Sequence, residues 1–156
     1  MKRKTLRILV MEIVGPCIQY IRYLLRRLNG YSGISKDCIL ESGILLDKVY
    51  PASIVIGANT LVAANVTILC HEHILREKDN PDLSLCKPIS IGERCFIGVG
   101  ALILPGVTIG NDCIIGSGSV VTKAIPAGCI AAGNPARIIK EGIQMNDNAM
   151  IKEESL

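Results

Sequence analysis

The sequence predicts an all-β solenoid, and three observations carry that prediction. First, residues 91–126 divide into sixes: Ile91-Gly-Glu-Arg-Cys-Phe, Ile97-Gly-Val-Gly-Ala-Leu, Ile103-Leu-Pro-Gly-Val-Thr, Ile109-Gly-Asn-Asp-Cys-Ile, Ile115-Gly-Ser-Gly-Ser-Val and Val121-Thr-Lys-Ala-Ile-Pro. Second, position one is always Ile or Val, position two is mostly Gly, and position five is small or mid-sized (Cys95, Ala101, Val107, Cys113, Ser119, Ile125). Third, position four collects residues that tolerate positive φ: Gly100, Gly106, Asp112 and Gly118, with Asn59 and Asn65 upstream. A period of six is too short for a helix pair or a propeller blade; it suits one short strand plus one corner. Side chains alternate faces along a strand, and a corner resets that phase, so positions one and five both fill the interior. A left-handed residue turns each corner, and Pro105-Gly106 is what a type II turn asks for. Three sixes close one triangular coil.

Before the repeat, residues 1–30 follow a different period. Leu6, Ile8, Leu9, Val10, Ile13 and Val14 precede Pro16, and Ile18, Ile21, Leu25 and Leu28 follow at helical spacing, with Arg22, Arg26 and Arg27 on another face. The spacing predicts one or two helices, broken near Pro16 and capped at Gly30. Arg7 and Glu12 interrupt the apolar run, which argues against a membrane-spanning helix and against a secretory signal. Two readings stand: a helix packed on the solenoid or on a partner subunit, and an amphipathic basic helix making peripheral contact with an anionic membrane.

Residues 31–140 are predicted to form the solenoid, with 31–49 as irregular first coils and a recognisable register from Tyr50. The sixes Ile56-Gly-Ala-Asn-Thr-Leu, Val62-Ala-Ala-Asn-Val-Thr and Ile68-Leu-Cys-His-Glu-His run to His73. The register then fails over the polar, turn-forming stretch 74–84, read as an excursion loop, and resumes at Leu85. After Pro126 the pattern loosens, and Gly133-Asn-Pro-Ala-Arg-Ile-Ile-Lys140 leaves the solenoid. Residues 141–156 read as a polar tail or short helix with a frayed end.

Composition bounds the function. A net charge of +3 is too small a basic excess to argue for nucleic acid, and one Phe, four Tyr and no Trp leave little for base stacking. Seven cysteines, an odd count with no CxxC pair, indicate a reducing compartment, hence a cytoplasmic protein, rather than a disulfide or zinc framework. Cys95 and Cys113, at position five, read as small core residues.

The sixes, the break after the only two histidines, and the closing Gly133-Asn-Pro-Ala-Arg137 together resemble the hexapeptide-repeat acyltransferases, in particular the O-acetyltransferases of sugars, capsule and colanic acid. That resemblance implies a left-handed parallel β-helix, against the usual right-handed crossover. It implies acetyl-CoA as co-substrate, no metal, and a homotrimer with each acyl-CoA groove between two subunits. In the family's sugar acetyltransferases the catalytic His follows a coil ending in Asn-Val-Thr. Asn65-Val-Thr-Ile-Leu-Cys-His71 matches, so the resemblance maps the general base to His71, with His73 and Glu72 as weaker candidates. A neutral imidazole there would take the acceptor hydroxyl's proton as its oxygen attacks the thioester carbonyl. By the same matching, Phe96 covers the thioester end. Gly98, Ser117 and Gly133 approach the pantetheine arm, Thr122 and Lys123 line its groove, and Arg137 and Lys140 bind the CoA phosphates.

Competing readings are weaker. The γ-class carbonic anhydrases share the fold but need three zinc-binding histidines, and this chain has two. A non-catalytic scaffold has no use for a His-bearing excursion combined with Thr122-Lys123 and Asn134-Pro-Ala-Arg137. A serine acetyltransferase would carry a large N-terminal helical domain and an Asp–His pairing that is not identifiable in the sequence. Residues 1–30 also lack the signature of the maltose and galactoside enzymes' N-terminal module. The expected acceptor is therefore a sugar of a cell-surface polysaccharide or its precursor.

Overall fold

The computed structural model describes residues 17–77 and 80–155, with side chains outside 73–84 and Ser155. Position-one residues point inward and stack coil upon coil into three parallel sheets. The first sheet contains β1 (Ile39–Leu40), β4 (Leu61–Val62), β9 (Phe96–Ile97), β12 (Ile114–Ile115) and β14 (Ile130–Gly133), with β15 (Ala136–Lys140) antiparallel on its edge. The second contains β2 (Leu45–Leu46), β5 (Thr67–Ile68), β10 (Leu102–Ile103) and β13 (Val120–Val121). The third contains β3 (Ile54–Ile56), β8 (Ile89–Ile91) and β11 (Thr108–Ile109). The interior is one apolar column running from Ile34 to Ala136.

The corners behave as the pattern requires. Gly100, Gly106, Gly118, Asn59, Asn65 and Asp112 all have positive φ. Arg94 occupies the same corner position at φ 53, a conformation the sequence does not advertise for arginine. Its guanidinium is held by Asp112 on the coil above, Nε to Oδ1 at 2.9 Å and Nη2 to Oδ2 at 3.0 Å. The buried thiols of Cys95 and Cys113 donate to the carbonyls of Gly110 (3.1 Å) and Pro126 (3.0 Å), so they serve the stacking of coils.

Three elements differ from the sequence reading. The first coils, expected to be irregular over 31–49, are paired in register: Ile34 bridges to Ile56, and β1 and β2 pair with β4 and β5. These first coils are regular except at one corner. Register partners Leu46 and Ile68 lie 22 residues apart, whereas Ile103 and Val121 lie 18 apart. The four extra residues fall after Leu46, in a corner that includes the 3-10 turn Pro51–Ser53. The excursion is not a loop but an antiparallel hairpin of β6 (His71–Glu77) and β7 (Asn80–Cys86). Strand pairing satisfies the backbone groups that a long polar excursion would otherwise leave to water.

The C-terminal residues are a packed strap rather than a frayed tail. Ile143, Met145 and Ala149 are buried and sit with Leu61, Phe96, Ile114 and Ile130 on the outer side of the first sheet. Met145 N donates to Asp112 (3.2 Å), which ties the strap to the Arg94 corner. The N-terminal helix α1 (17–28) ends as predicted. Gly30 has φ 88, and Tyr31 N and Gly30 N bond back to Arg26 O and Arg27 O, both at 3.0 Å.

Truncating the column costs transfer energy plus a cavity. Ile103→Ala is expected to lose about 2–5 kcal/mol of unfolding free energy in a denaturant titration. Val99→Ala, at a 48% exposed corner, is expected to lose less than about 0.5 kcal/mol; equal losses would mean that the column does not dominate stability.

Candidate functional site

The lengthened corner after β2 places Asp47 inside the protein, 1% exposed. Its Oδ1 accepts from Val49 N (2.9 Å) and Tyr50 N (3.2 Å), capping the turn that the extra residues make. Its Oδ2 reaches the next coil and accepts from Cys70 N (2.9 Å) and His71 N (3.1 Å), and from the His71 ring through Nδ1–H. Tyr31 Oη donates to the Asp47 backbone carbonyl at 3.0 Å. Burial alone would push the carboxyl pKa up. The hydrogen bonds from His71 and from the Tyr50, Val49 and Cys70 amides outweigh it and hold the group at about 2. An ionised carboxylate can only accept, so Nδ1 carries a proton, and in a neutral imidazole the lone pair is then on Nε2. The Tyr50 ring lies 6.1 Å from the imidazole, tilted by 57°. The His71 side chain retains 14% exposure.

The other predicted residues fall into three groups. Glu72 pairs with Lys87 at 2.5 Å across the foot of the hairpin. The His73 side chain lies outside the described residues. Thr122 and Lys123 are exposed on the corner after β13, the same prism edge as His71 two coils below and Asp47 three coils below. Gly98 and Ser117, after β9 and β12, and Gly133, at the end of β14, line the neighbouring edge. The second sheet lies between these two edges. Arg137 is exposed on β15, its Nη1 donating to the Ala136 carbonyl (2.9 Å), and Lys140 is half-buried at the strand's end.

Three of these residues also answer to the fold itself. A Cβ on Gly98 would stand 2.6 Å from Ser117 N and 2.7 Å from Ile115 O, so this glycine is required by the backbone of the next coil. Phe96 is half-buried beneath the C-terminal strap, packed with Ile143 and Met145. Gly133 has φ 103 and donates its N–H to the buried Ser119 hydroxyl (3.1 Å), so its backbone conformation demands glycine.

Asp47 is the residue that sequence reading missed. A signal exists in hindsight. Ile34, Leu40 and Leu46 keep the six-residue spacing, and Asp47 then stands at position two, where the repeat prefers Gly. With that register, the acid lands one coil below the histidine.

The depressed pKa has a sign. Asp47 stabilises the fold above its unfolded pKa of about 3.9, and that contribution is lost as pH falls toward the folded value, a change of about 2 kcal/mol. Unfolding free energies of wild type and Asp47→Asn should therefore converge by about 2 kcal/mol between roughly pH 5 and pH 2. Parallel pH curves for the two proteins would mean that the buried carboxylate is not held ionised.

A family profile described as "Hexapeptide repeat of succinyl-transferase" matches residues 88–123. Nodulation protein L of Rhizobium leguminosarum bv. viciae is 48% identical over 113 residues, covering 72% of this chain and 55% of that protein. Among solved structures, a maltose O-acetyltransferase from Clostridium difficile 630 is 30% identical with a TM-score of 0.61, covering 77% of this chain and 74% of that one. A galactoside acetyltransferase in complex with coenzyme A is 26% identical with a TM-score of 0.53, covering 81% and 82%. The chain spans 64%, 62% and 55% of the length of three curated relatives that it matches. Repeat, sheet register and these likenesses converge: the chain belongs to the hexapeptide-repeat acetyltransferases, whose fold is the left-handed parallel β-helix.

Proposed function

We propose that this protein transfers an acetyl group from acetyl-CoA to a sugar hydroxyl, with His71 Nε2 as general base and Asp47 as the residue that positions it. One observation carries the reading: a buried, ionised Asp47 fixes the His71 tautomer, leaving a basic nitrogen on a partly exposed ring. Nε2 takes the hydroxyl proton as the oxygen bonds to the thioester carbonyl carbon. The tetrahedral intermediate then expels the CoA thiolate, which recovers the proton from the imidazolium. The likenesses to a maltose O-acetyltransferase and to a galactoside acetyltransferase in complex with coenzyme A support both the donor and a carbohydrate acceptor. The acceptor we assign is a sugar of a cell-surface polysaccharide or its precursor.

The cofactor reading uses both edges of the second sheet. Thr122 and Lys123 lie on the His71 edge; Ser117 and Gly133 lie on the other, with Arg137 and Lys140 beyond it for the CoA phosphates. A single groove that meets the base of one edge and the backbone of another is most simply made by two neighbouring copies, which favours a trimer with sites between subunits. Seven unpaired thiols fit work on the cytoplasmic side. A second reading gains from the same pair. Serine acetyltransferases use an Asp–His couple, and Asp47 supplies the partner that the sequence left unidentified.

A screen of acetyl-CoA-dependent thiol release against free sugars, nucleotide sugars and serine tests both readings, and a silent screen would favour the scaffold. His71→Ala is expected to abolish release while acetyl-CoA binding stays near normal; retained turnover would remove His71 from the chemistry. Asp47→Asn should lower kcat by about 10²–10⁴-fold with little change in the acetyl-CoA KM, since a misoriented tautomer costs rate rather than donor binding. Arg137→Ala should raise that KM, and an unchanged value would place the phosphates elsewhere.

A further inference from the structure

Helix α1 is mounted with the wrong side inward for a packing helix. Only Tyr23 and Arg26 of residues 17–28 are shielded, and both belong to its polar face. Arg26 Nε is buried with no hydrogen-bond partner among the described residues, and burial lowers the pKa of its guanidinium. The apolar residues face away: Ile18, Tyr20, Ile21, Leu24, Leu25 and Leu28 are 42–83% exposed. At about 100° per residue they form one continuous arc roughly 160° wide. Exposed Arg22 and Arg27 flank that arc, one on each side.

Charge is distributed the same way. Residues 1–30 hold Lys2, Arg3, Lys4, Arg7, Arg22, Arg26 and Arg27 against Glu12, a net of +6; with +3 for the whole chain, the rest carries −3. Beside the helix, a groove of about 310 Å³ between Leu25 and the first-coil residues Leu40, Ile44 and Leu46 extends the apolar surface. Among the described residues no helix is long and apolar enough to cross a membrane. An apolar arc between two arginines, in the one basic section of an otherwise acidic chain, is the pattern of a helix lying in the plane of an anionic bilayer surface.

We infer that α1 docks this protein onto anionic phospholipid, with the Ile18–Leu28 arc in the acyl boundary and Arg22 and Arg27 at the headgroups. A second copy covering the same arc would bring four arginines together, which charge complementarity disfavours. The site follows the helix closely. Tyr31, next after the cap, bonds to Asp47, so a bound helix holds the His71 edge near the membrane surface.

The test uses the full chain and vesicles of phosphatidylcholine with or without phosphatidylglycerol, read by co-sedimentation. Binding should favour the anionic vesicles by about tenfold or more and fall with added salt. Ile21→Asp with Leu28→Asp should abolish it, and Arg22→Glu with Arg27→Glu should weaken it by about tenfold or more. An unchanged thermal midpoint in each variant shows that the fold is intact. Equal or no binding to the two vesicle types overturns the inference. So does a native mass, by light scattering, that falls in the Ile21→Asp/Leu28→Asp variant, which would assign the arc to a second copy.

Discussion

Much of this molecule depends on one buried carboxylate. Asp47 closes an enlarged corner of the first coil with one oxygen and reaches the second coil with the other. A charge inside a protein is tolerated only when its lone pairs are satisfied, and here four backbone amides and an imidazole satisfy them. The group is therefore structural and chemical at once. It joins two coils where their spacing is irregular, and it sets which nitrogen of His71 can act as a base.

The regular coils do different work. Their position-one isoleucines and valines form a column that needs no long-range specification, because each coil buries its neighbour's face. Corner residues keep the coils in contact; Gly98 shows how close that contact is, since a methyl group would meet the next coil's backbone. The Arg94–Asp112 pair and the strap over Phe96 finish the first sheet's outer face. Regularity makes a straight wall, and both departures from it, after Leu46 and at the 71–86 hairpin, converge on the histidine. The second departure is 17 residues long, since Ile68 and Ile103 pair at a separation of 35 instead of the 18 between Ile103 and Val121.

Helix α1 belongs to neither the column nor the site. Its polar side meets the solenoid and its apolar side does not, an inversion that packing alone would not favour. The position of Tyr31 between its cap and Asp47 connects an outward-facing surface to the Asp47–His71 pair.

The six-residue period by itself determined the solenoid, its inward residues and its left-handed corners, because each is a local consequence of side-chain size and φ preference. The break in that period, with the family resemblance, singled out His71 as the candidate. The tertiary structure alone decided the Asp47–His71 pair, since residues 24 apart in sequence become neighbours only when coils stack in register. It also decided that Glu72 serves Lys87, that Gly98 answers to the next coil, and that the excursion pairs as a hairpin. The strap gives the same lesson: Ile143, Met145 and Ile151 are too sparse to announce a packed segment, and only the apolar outer face of the first sheet gives them a place to bury.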